Sequence, residues 1–409
     1  MLESEGGLRH LPFFDEIAST TPDSPANAAA TAGLVTLRLL DTWVEEFVVP
    51  GVRDDWALRS VRIAIQAMEE SGPARAILGR IVDVIETRNA SFRSVVTPLM
   101  AYAKALEYDA KWSLAADVYQ TVVAHLHPVD DADASIAAHL RLGQCFRVVN
   151  DIDASANAYE TAFEIATAVG DVVGILRARI GEGRIAMFRG NLPRAEAIFD
   201  ETISRAVGPE LGDVRSSALH GRANVAHFRS QYELAIQFAY QALELAQLPS
   251  ERDRILGDIA VSFLDLGVYS AARDAYLVLS ATAQEQYTRW AATLNLLEIA
   301  ALTGMQPLFE LYRRQLSGQP LPPYMATAFE LNLGTGYQRF GDLTTARLHL
   351  ERAAIMAGEH GFNQFVFDAE EALNQVDTAT PPRRTPTSIP LDVQEVANAI
   401  KELRETAGV

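Results

Sequence analysis

The spacing of small and large apolar residues repeats along the middle of the chain. From Gly143 to Ala162, small residues occupy the first, thirteenth and twentieth positions, and large apolar residues lie between them. The same arrangement returns at a regular spacing, starting at Ala103, Gly183, Ala223, Ala260 and Gly334. The spacing is about 40 residues as far as Ala223 and about 37 residues after it, and such a period is the signature of a repeat array. It predicts seven units, of which the sixth is degenerate.

Each unit is predicted to form two antiparallel helices. The first helix carries a small residue late in its length and the second carries one early, so the two axes can approach closely where they cross. The turn between the helices requires a residue that tolerates a positive φ. Gly190, Gly267, Gly341 and Asn150 occupy that position in their units. The pattern therefore predicts an all-α protein.

This frame resembles the tetratricopeptide repeat over roughly residues 92 to 376, although the usual unit of that family has only about 34 residues. The residues on its signature positions include Gly143, Phe146, Ser155, Tyr159 and Ala162. Longer units of this kind are similar to those of kinesin light chains, of the Leu-Gly-Asn repeat scaffolds of animal cells and of bacterial peptide-sensing regulators. The resemblance implies a right-handed α-solenoid, a superhelix whose first helices line its concave surface, and a function in protein binding.

The chain outside the repeats is predicted to form helices joined by short connections. Before the repeats, the predicted helices are 26–49, 55–71 and 73–88. The predicted boundaries are 1–25 for an N-terminal arm, 26–90 for helices that include a divergent repeat, 91–376 for the repeats with a capping helix, 377–390 for a proline-rich linker and 391–409 for a C-terminal amphipathic helix. The apolar face of that last helix consists of Leu391, Val393, Val396, Ile400 and Leu403.

Composition excludes several functional classes. The formal net charge of -18 and the sequence pI near 4.9 disfavour general coating of nucleic acid. The single cysteine, Cys145, cannot form a disulfide or a cysteine-based zinc site within one chain. The first residues lack a basic segment followed by an apolar one, and no later stretch reaches the roughly 18 apolar residues of a membrane span. We therefore expect a cytoplasmic protein that does not act at a membrane.

Sequence motifs that carry catalysis are absent. There is no G-x-x-x-x-G-K-[ST] phosphate loop, no G-x-S-x-G elbow and no H-E-x-x-H helix. The acidic run Asp130-Asp131-Ala132-Asp133 lacks the glycine and the terminal glutamate of a calcium loop, so we predict a loop before a helix N-terminus. We predict no catalytic residues, no cofactor and no metal site, and a protein that is not an enzyme.

Charge differs between the first and second helices of the central repeats. Residues 135–149, 173–189 and 214–229, in first helices, carry net charges of +2, +3 and +3. The second-helix segments 152–168, 192–206 and 232–247 carry -3, -1 and -2. If the first helices line the groove, as the resemblance implies, the wall of these repeats is basic.

Helical spacing selects the side chains on the open face of these first helices, because residues three and four apart share a face. The candidate binding residues are Gln144, Arg147, Arg177, Arg184, Phe188, His220, Asn224, His227 and Phe228. Guanidinium and amide groups suit carboxylates and extended peptide backbones, and phenylalanines offer apolar anchors. An alternative is that the arginines are ordinary surface residues paired with acids of neighbouring repeats. The two histidines lack a third metal ligand, so we predict that they are polar or packing residues.

Three functional hypotheses remain open at this point. The first is a scaffold or adaptor that binds an acidic peptide or partner-protein segment in a basic groove. The second is a ligand-responsive regulator in which the same residues sense a peptide, a nucleotide or a nucleic acid, although the net charge makes nucleic acid a poor partner. The third is a structural assembly subunit that recruits its own copies through the C-terminal helix or the second-helix surface. The sequence leaves the oligomeric state open.

Overall fold

The computed structural model describes residues 9–46, 55–70, 72–87, 91–376 and 389–409. Within these ranges the chain is all-α and contains no strand. Contacts divide it into two compact units, residues 1–198 (unit 1) and 199–409 (unit 2), and the division falls within a helix. Each unit is a helical-repeat array of the tetratricopeptide-like, α-solenoid class.

Unit 1 begins with four helices and continues with helical hairpins. Its helices are α1 (Leu11–Ser19), α2 (Pro25–Glu46), α3 (Asp55–Gln66), α4 (Pro73–Glu86), α5 (Phe92–Tyr108), α6 (Trp112–Ala124), α7 (Ala132–Val148), α8 (Ile152–Val169), α9 (Val172–Phe188) and the first part of α10 (Leu192–Arg205). Each helix from α4 to α8 packs on the next one along the chain, and α5, α7 and α9 also pack on one another in sequence. The first helices therefore form one layer within this unit.

Unit 2 continues the pattern and ends with a helix that returns to earlier ones. Its helices after α10 are α11 (Gly212–Phe228), α12 (Tyr232–Leu245), α13 (Pro249–Leu266), α14 (Tyr269–Thr282), α15 (Gln286–Leu302), α16 (Gln306–Leu316), α17 (Pro323–Phe340), α18 (Leu343–His360), α19 (Asn363–Gln375) and α20 (Leu391–Ala407). The starts of the first helices are evenly spaced from α5 to α11, and again, slightly closer together, from α11 to α17. The degenerate sixth unit forms the hairpin α15–α16, and of these two helices α17 packs mainly on α15.

Small residues lie where the helices cross. The ring of Tyr159 on α8 lies against Gly143 on α7 and Gly181 on α9, and a Cβ placed at Gly143 would lie 2.7 Å from that ring. Ser155 Oγ donates a hydrogen bond of 2.6 Å to the carbonyl oxygen of Gly143. In unit 2, the ring of Phe199 lies in the same way against Gly221. The spacing of small residues therefore allows the close approach that the repeat pattern predicted.

The turns inside the hairpins have left-handed backbone conformations. Gly190, Gly267 and Gly341 have φ values of 74, 82 and 86°, and Asn150 has 64°, as predicted. Ala110 and Ser230 occupy the same position with φ values of 57 and 58°, although neither residue type favours this conformation. The repeated hairpin geometry therefore overrides local preference at these two turns.

Part of the predicted N-terminal arm is a packed helix. Helix α1 contacts α2 and α6, and Phe13 on it is fully buried. His10, just before the helix, is also buried: its Nδ1 lies 2.7 Å from Asp117 Oδ2 and its Nε2 lies 3.2 Å from Asp41 Oδ2. The expectation of an arm is wrong for residues 11–19, because an apolar anchor and two distant carboxylates hold this segment in place.

The C-terminal helix packs on its own chain. Helix α20 contacts α12 and α14 of unit 2, and Val393, Val396 and Ile400 are buried there. Leu391, assigned to the same apolar face from the sequence, is 77% exposed. Most of the predicted linker, residues 377–388, lies outside the described residues. The hypothesis of assembly through this helix is disfavoured, because its apolar face is already used within the chain.

Candidate functional site

The structure brings Arg147 and Phe188 together on the first-helix face of unit 1. Arg147 lies near the end of α7 and Phe188 near the end of α9, two helices that pack side by side. The guanidinium carbon of Arg147 lies 5.5 Å from the centre of the Phe188 ring, within the range of a cation-π contact. Phe188 remains 51% exposed. The pair therefore presents a cation beside an accessible aromatic ring.

Arg147 has no partner for its charge within the described part of the chain. Its side chain is partly buried, and its Nε is enclosed without a hydrogen-bond acceptor. No described carboxylate forms an ion pair with it. An enclosed donor without an acceptor costs free energy. The side chain as a whole is only partly buried, so an incoming carboxylate would bind the accessible part of the guanidinium group and neutralise its charge.

Gln144 belongs to a structural network. Its Oε1 accepts a hydrogen bond of 3.1 Å from Arg141, which in turn pairs with the buried Glu107. The hydroxyl of Tyr119 donates to the same Glu107 carboxylate at 2.8 Å. Burial lowers the pKa of Arg141 and raises that of the neighbouring Cys145 thiol to about 11. Cys145 is therefore a packed apolar residue, as its position in the sequence indicated.

The other two candidate arginines of unit 1 differ in exposure. Arg177 is exposed on α9, and Arg184 on the same helix is partly buried. Each of them has an interaction of its own within the chain, so neither provides the unpaired charge that Arg147 does. They add positive charge to the helix that carries Phe188.

Several arginines that contribute to the net charges of the central helices are paired with acids. Glu182 contacts both Arg179 on its own helix and Arg194 on α10, the latter at 2.8 Å. Arg189 pairs with Asp153 of α8 at 2.6 Å. Of these pairs, Arg189 with Asp153 joins neighbouring repeats, whereas Arg179 and Arg194 pair with Glu182 inside one hairpin. The net charge of the first-helix segments therefore overstated the free positive charge.

In unit 2 the ring nitrogens of the two candidate histidines have their partners on α13. His220 is buried, and its Nε2 lies 2.5 Å from Asp258 Oδ2. His227 Nδ1 lies 3.1 Å from the hydroxyl of Ser262, and its Nε2 lies 3.5 Å from Asp265 Oδ2. These contacts join adjacent first helices. The histidines therefore act as packing and polar residues within the fold.

The remaining candidates in unit 2 line the surface beside these histidines. Asn224 and His227 border a small cavity of about 50 Å³ that Asp258 and Ser262 close from the other side. Phe228 is 64% exposed and meets the His227 ring edge-on, with the ring centres 6.3 Å apart. This cavity has room for a few water molecules at most, so the surface offers an apolar edge without a deep pocket.

A larger cavity that the sequence did not predict lies in unit 1. Its volume is about 530 Å³, within the range of ligand-binding pockets. Three consecutive helices surround it. Its lining comes from Ala156, Tyr159, Glu160 and Phe163 of α8, from Ala178, Glu182, Ile185 and Ala186 of α9, from Arg189 just after α9, and from Asn191 and Arg194 at the start of α10. In the sequence its lining shows only alanines at helical spacing, which also occur at ordinary helix crossings.

Neither a metal-binding cluster nor a membrane span is found in the described residues. No group of three or more histidine, cysteine, aspartate or glutamate side chains is arranged to hold a metal ion in those ranges. None of the helices in the part of the chain that the structure describes has the length and apolar character needed to cross a membrane.

Comparisons with known proteins provide structural likenesses only. No protein-family model matches the chain, and no curated protein matches it. The Rap conjugation gene regulator of the plasmid pLS20, solved with the Phr* peptide, is 13% identical over 87% of this chain and 99% of its own, with a TM-score of 0.47. A Rap protein complexed with Competence and Sporulation Factor is 12% identical over 84% and 97%, with a TM-score of 0.46. Aspartyl phosphate phosphatase F from Bacillus subtilis is 12% identical over 91% and 98%, with a TM-score of 0.37.

Proposed function

We propose that this chain is a tetratricopeptide-type repeat protein with extended units of about 37 to about 40 residues, and that it binds an acidic peptide segment of a partner protein. The binding surface is the first-helix face of unit 1, formed by α7 and α9. The observation that carries the proposal is Arg147, an unpaired and partly buried cation that lies over the exposed ring of Phe188. The proposed role is binding without a catalytic step.

The chemistry of this surface favours a carboxylate next to an apolar side chain. The planar guanidinium of arginine presents its N–H groups to a carboxylate in a fork. Phe188 lies beside it and offers about half of its surface for an apolar contact. A peptide with an aspartate, a glutamate or a free C-terminus beside a large apolar residue would satisfy both groups. Arg177 on the same helix adds charge that attracts such a segment.

The experiment compares three versions of the full chain in capture from a lysate of the source cells. The first is wild type, and the second carries Arg147→Glu, Arg177→Glu and Arg184→Glu. The third is a charge-matched control, Arg80→Glu, Arg254→Glu and Arg314→Glu, which changes three exposed arginines elsewhere. Mass spectrometry identifies proteins that the first and third versions retain and the second loses. Melting temperatures of all three versions show whether the fold is intact.

The captured partner then supplies a peptide for a direct measurement. We expect the acidic segment of that partner, made as a labelled peptide, to bind the wild-type chain. Arg147→Glu alone should weaken binding at least about tenfold, because a negative side chain would then face the acidic residue of the peptide. Raising the salt concentration should weaken binding as well. Identical captured sets for the wild type and the Arg147 triple variant would contradict the proposal, and retention of nucleotides or nucleic acid instead of a protein would favour the regulator hypothesis.

A further inference from the structure

Equivalent second helices in the two units have different surroundings. The repeat register, in which Gly143 is equivalent to Ala223, pairs residues of α8 with residues of α12. Its later part, in which Gly183 is equivalent to Ala260, pairs residues of α10 with residues of α14. On this basis Ala156, Glu160 and Phe163 correspond to Ile236, Tyr240 and Leu243, and Arg194 and Ala197 correspond to Ala271 and Asp274. The same face of two successive second helices can therefore be compared in both units.

In unit 2 this face is covered by α20. Ile236, Leu243, Ala271 and Asp274 are all buried. The helix α20 packs on α12 and α14 through an apolar stripe at positions i, i+3 and i+7, which are Val393, Val396 and Ile400. Arg404 Nη1 donates a hydrogen bond of 2.9 Å to Asp274, and Gln237 donates to Asp392. An amphipathic helix is therefore the group that fits this position in the repeat.

In unit 1 the corresponding face is open. Glu160, Phe163, Arg194 and Ala197 are exposed, and most of them line the cavity of about 530 Å³. Buried apolar side chains of α9, Ala178 and Ile185, belong to the lining of that cavity, and we call them its floor. We call this surface the α8–α10 groove. It has the apolar floor and the two helical walls of a helix-binding groove, with no helix of the described chain in the position that α20 takes in unit 2.

We propose that the α8–α10 groove binds an amphipathic helix of a partner protein, in the way that α12 and α14 bind α20. This mode of binding places apolar side chains at i, i+3 and i+7 into the groove. Docking uses the second-helix face and residues other than Arg147 and Phe188, so it does not depend on the proposed peptide site.

The side chains at two corresponding positions disfavour α20 of a second copy as the occupant. Asp274, the partner of Arg404 in unit 2, corresponds to Ala197, so Arg404 would lose its carboxylate. Glu402 lies close enough to Tyr240 to raise the pKa of that side chain, after the larger effects of burial and of Glu244. Tyr240 corresponds to Glu160, so Glu402 would meet a like charge in the groove. The expected partner helix has a basic residue opposite Glu160 and a neutral one opposite Ala197.

A modified form of α20 provides the probe. We would label a peptide spanning residues 389–409 that carries Glu402→Lys and Arg404→Ala, and measure its binding to the full chain by fluorescence anisotropy. The unmodified peptide serves as the comparison. The protein variants are Ala156→Trp, which fills the groove, Glu160→Lys, which reverses its charge, and Ala168→Trp, a control at an exposed position of the same helix that does not line the cavity.

We expect the modified peptide to bind the wild-type chain and the Ala168→Trp chain equally well. Ala156→Trp should weaken binding at least about tenfold, because the groove is blocked. Glu160→Lys should weaken the binding of the modified peptide by about fivefold, because a lysine then faces the lysine at peptide position 402. The same variant should strengthen the binding of the peptide that retains Glu402, because the two charges are then opposite. The exposed position of Glu160 keeps this variant informative even if Ala156→Trp lowers the melting temperature.

Three outcomes would overturn the proposal. Equal or stronger binding of the unmodified peptide, lost in Ala156→Trp, would make a second copy of the chain the occupant. Binding of the modified peptide that neither Ala156→Trp nor Glu160→Lys changes would place it elsewhere. Failure of both peptides, with binding of the dye 1-anilinonaphthalene-8-sulfonate that Ala156→Trp abolishes, would indicate a pocket for a small apolar molecule.

Discussion

The first-helix faces of the two units both carry basic or polar side chains, but these side chains differ in whether an acid of the next first helix lies beside them. In unit 1, Arg147 projects over Phe188 without an acid to pair with. In unit 2, His220 and His227 meet Asp258 and Asp265 of the next first helix. A basic or polar side chain on a repeat face is therefore evidence of a ligand site only when the next repeat leaves it unpaired.

The difference in pairing follows from the acids that the next first helix carries. Helix α13 carries an acid about one repeat after each histidine, and so the carboxylates lie beside the imidazole rings. Helix α9 carries no acid in reach of Arg147. Its Glu182 is held by Arg179 and Arg194. The unit 2 pairs bind adjacent helices together, whereas unit 1 keeps a charge available to a partner.

The largest expected effect tests whether the two units share one repeat register, on which the comparison rests. Ala195 and Ala235 lie at equivalent helix crossings and are 0% and 1% exposed. Replacing either one with phenylalanine should lower the free energy of unfolding by about 1 to 3 kcal/mol, because the helices cannot separate without losing other contacts. Ala197→Phe, at an exposed position on the same helix as Ala195, is the control. Unchanged melting of the Ala195 or Ala235 variant would show that the register is wrong.

A somewhat smaller effect should separate structural from ligand-binding side chains. His220→Ala should lower the free energy of unfolding by about 1 to 2 kcal/mol, because a buried hydrogen-bonded side chain is lost. Arg147→Ala should change it by less than about 1 kcal/mol, since the contact with Phe188 is the main one removed. Urea denaturation measures both. Equal losses for the two variants would mean that Arg147 is as structural as His220, and would remove the contrast between the faces.

The smallest expected effect concerns pH and is confined to unit 1. Burial alone would lower the pKa of His10, but hydrogen bonds and charge interactions with Asp117 and Asp41 raise it to about 9. The ordinary value is about 6.5. The stabilisation by protonated His10 is therefore complete below that value and is lost as the pH rises through about 9.

Two neighbouring groups complete this pH dependence. His125 and Arg9 also face Asp41, and the hydrogen bond with His10, assisted by these two, holds the pKa of Asp41 below its usual range despite burial. The stabilisation by ionised Asp41 is present above the ordinary pKa of aspartate. It is lost only as the pH falls through the lowered pKa of Asp41. We expect His10→Gln to cost about 1 kcal/mol at pH 6 and much less at pH 10. Hydrogen exchange of α1 measures this, with the helices of unit 2 as the internal reference; an equal cost at both pH values would contradict it.

Most of the fold could be predicted from the sequence because its determinants are local. The period of small residues, the left-handed turns at Asn150 and Gly190, and the apolar stripe around Val396 all arise within the length of a single repeat. Helix α1 was missed because its anchors are far away: Asp117 lies 107 positions after His10. The repeat register placed Ala110 and Ser230 at this turn, but their left-handed conformation was not predicted, because the hairpin imposes a conformation that neither side chain favours.

The candidate site was predicted only in part. Helical spacing placed Arg147 and Phe188 on a shared face, and the structure joins them. The same spacing placed Gln144 and His220 there, but their partners, Arg141 with Glu107 and Asp258, belong to the packing of neighbouring helices. The α8–α10 groove had no clear signal, since alanines within a repeat usually indicate a helix crossing.

The sequence by itself determined that this chain is an all-α repeat protein, which helices pair, and where their small residues must lie. Those properties depend on helical periodicity and on steric limits that act within one repeat. Only the tertiary structure decided which charges are neutralised and which faces are covered. The reason is that an ion pair such as Arg404 with Asp274 joins residues 130 positions apart, and only the folded chain brings such groups within reach of each other.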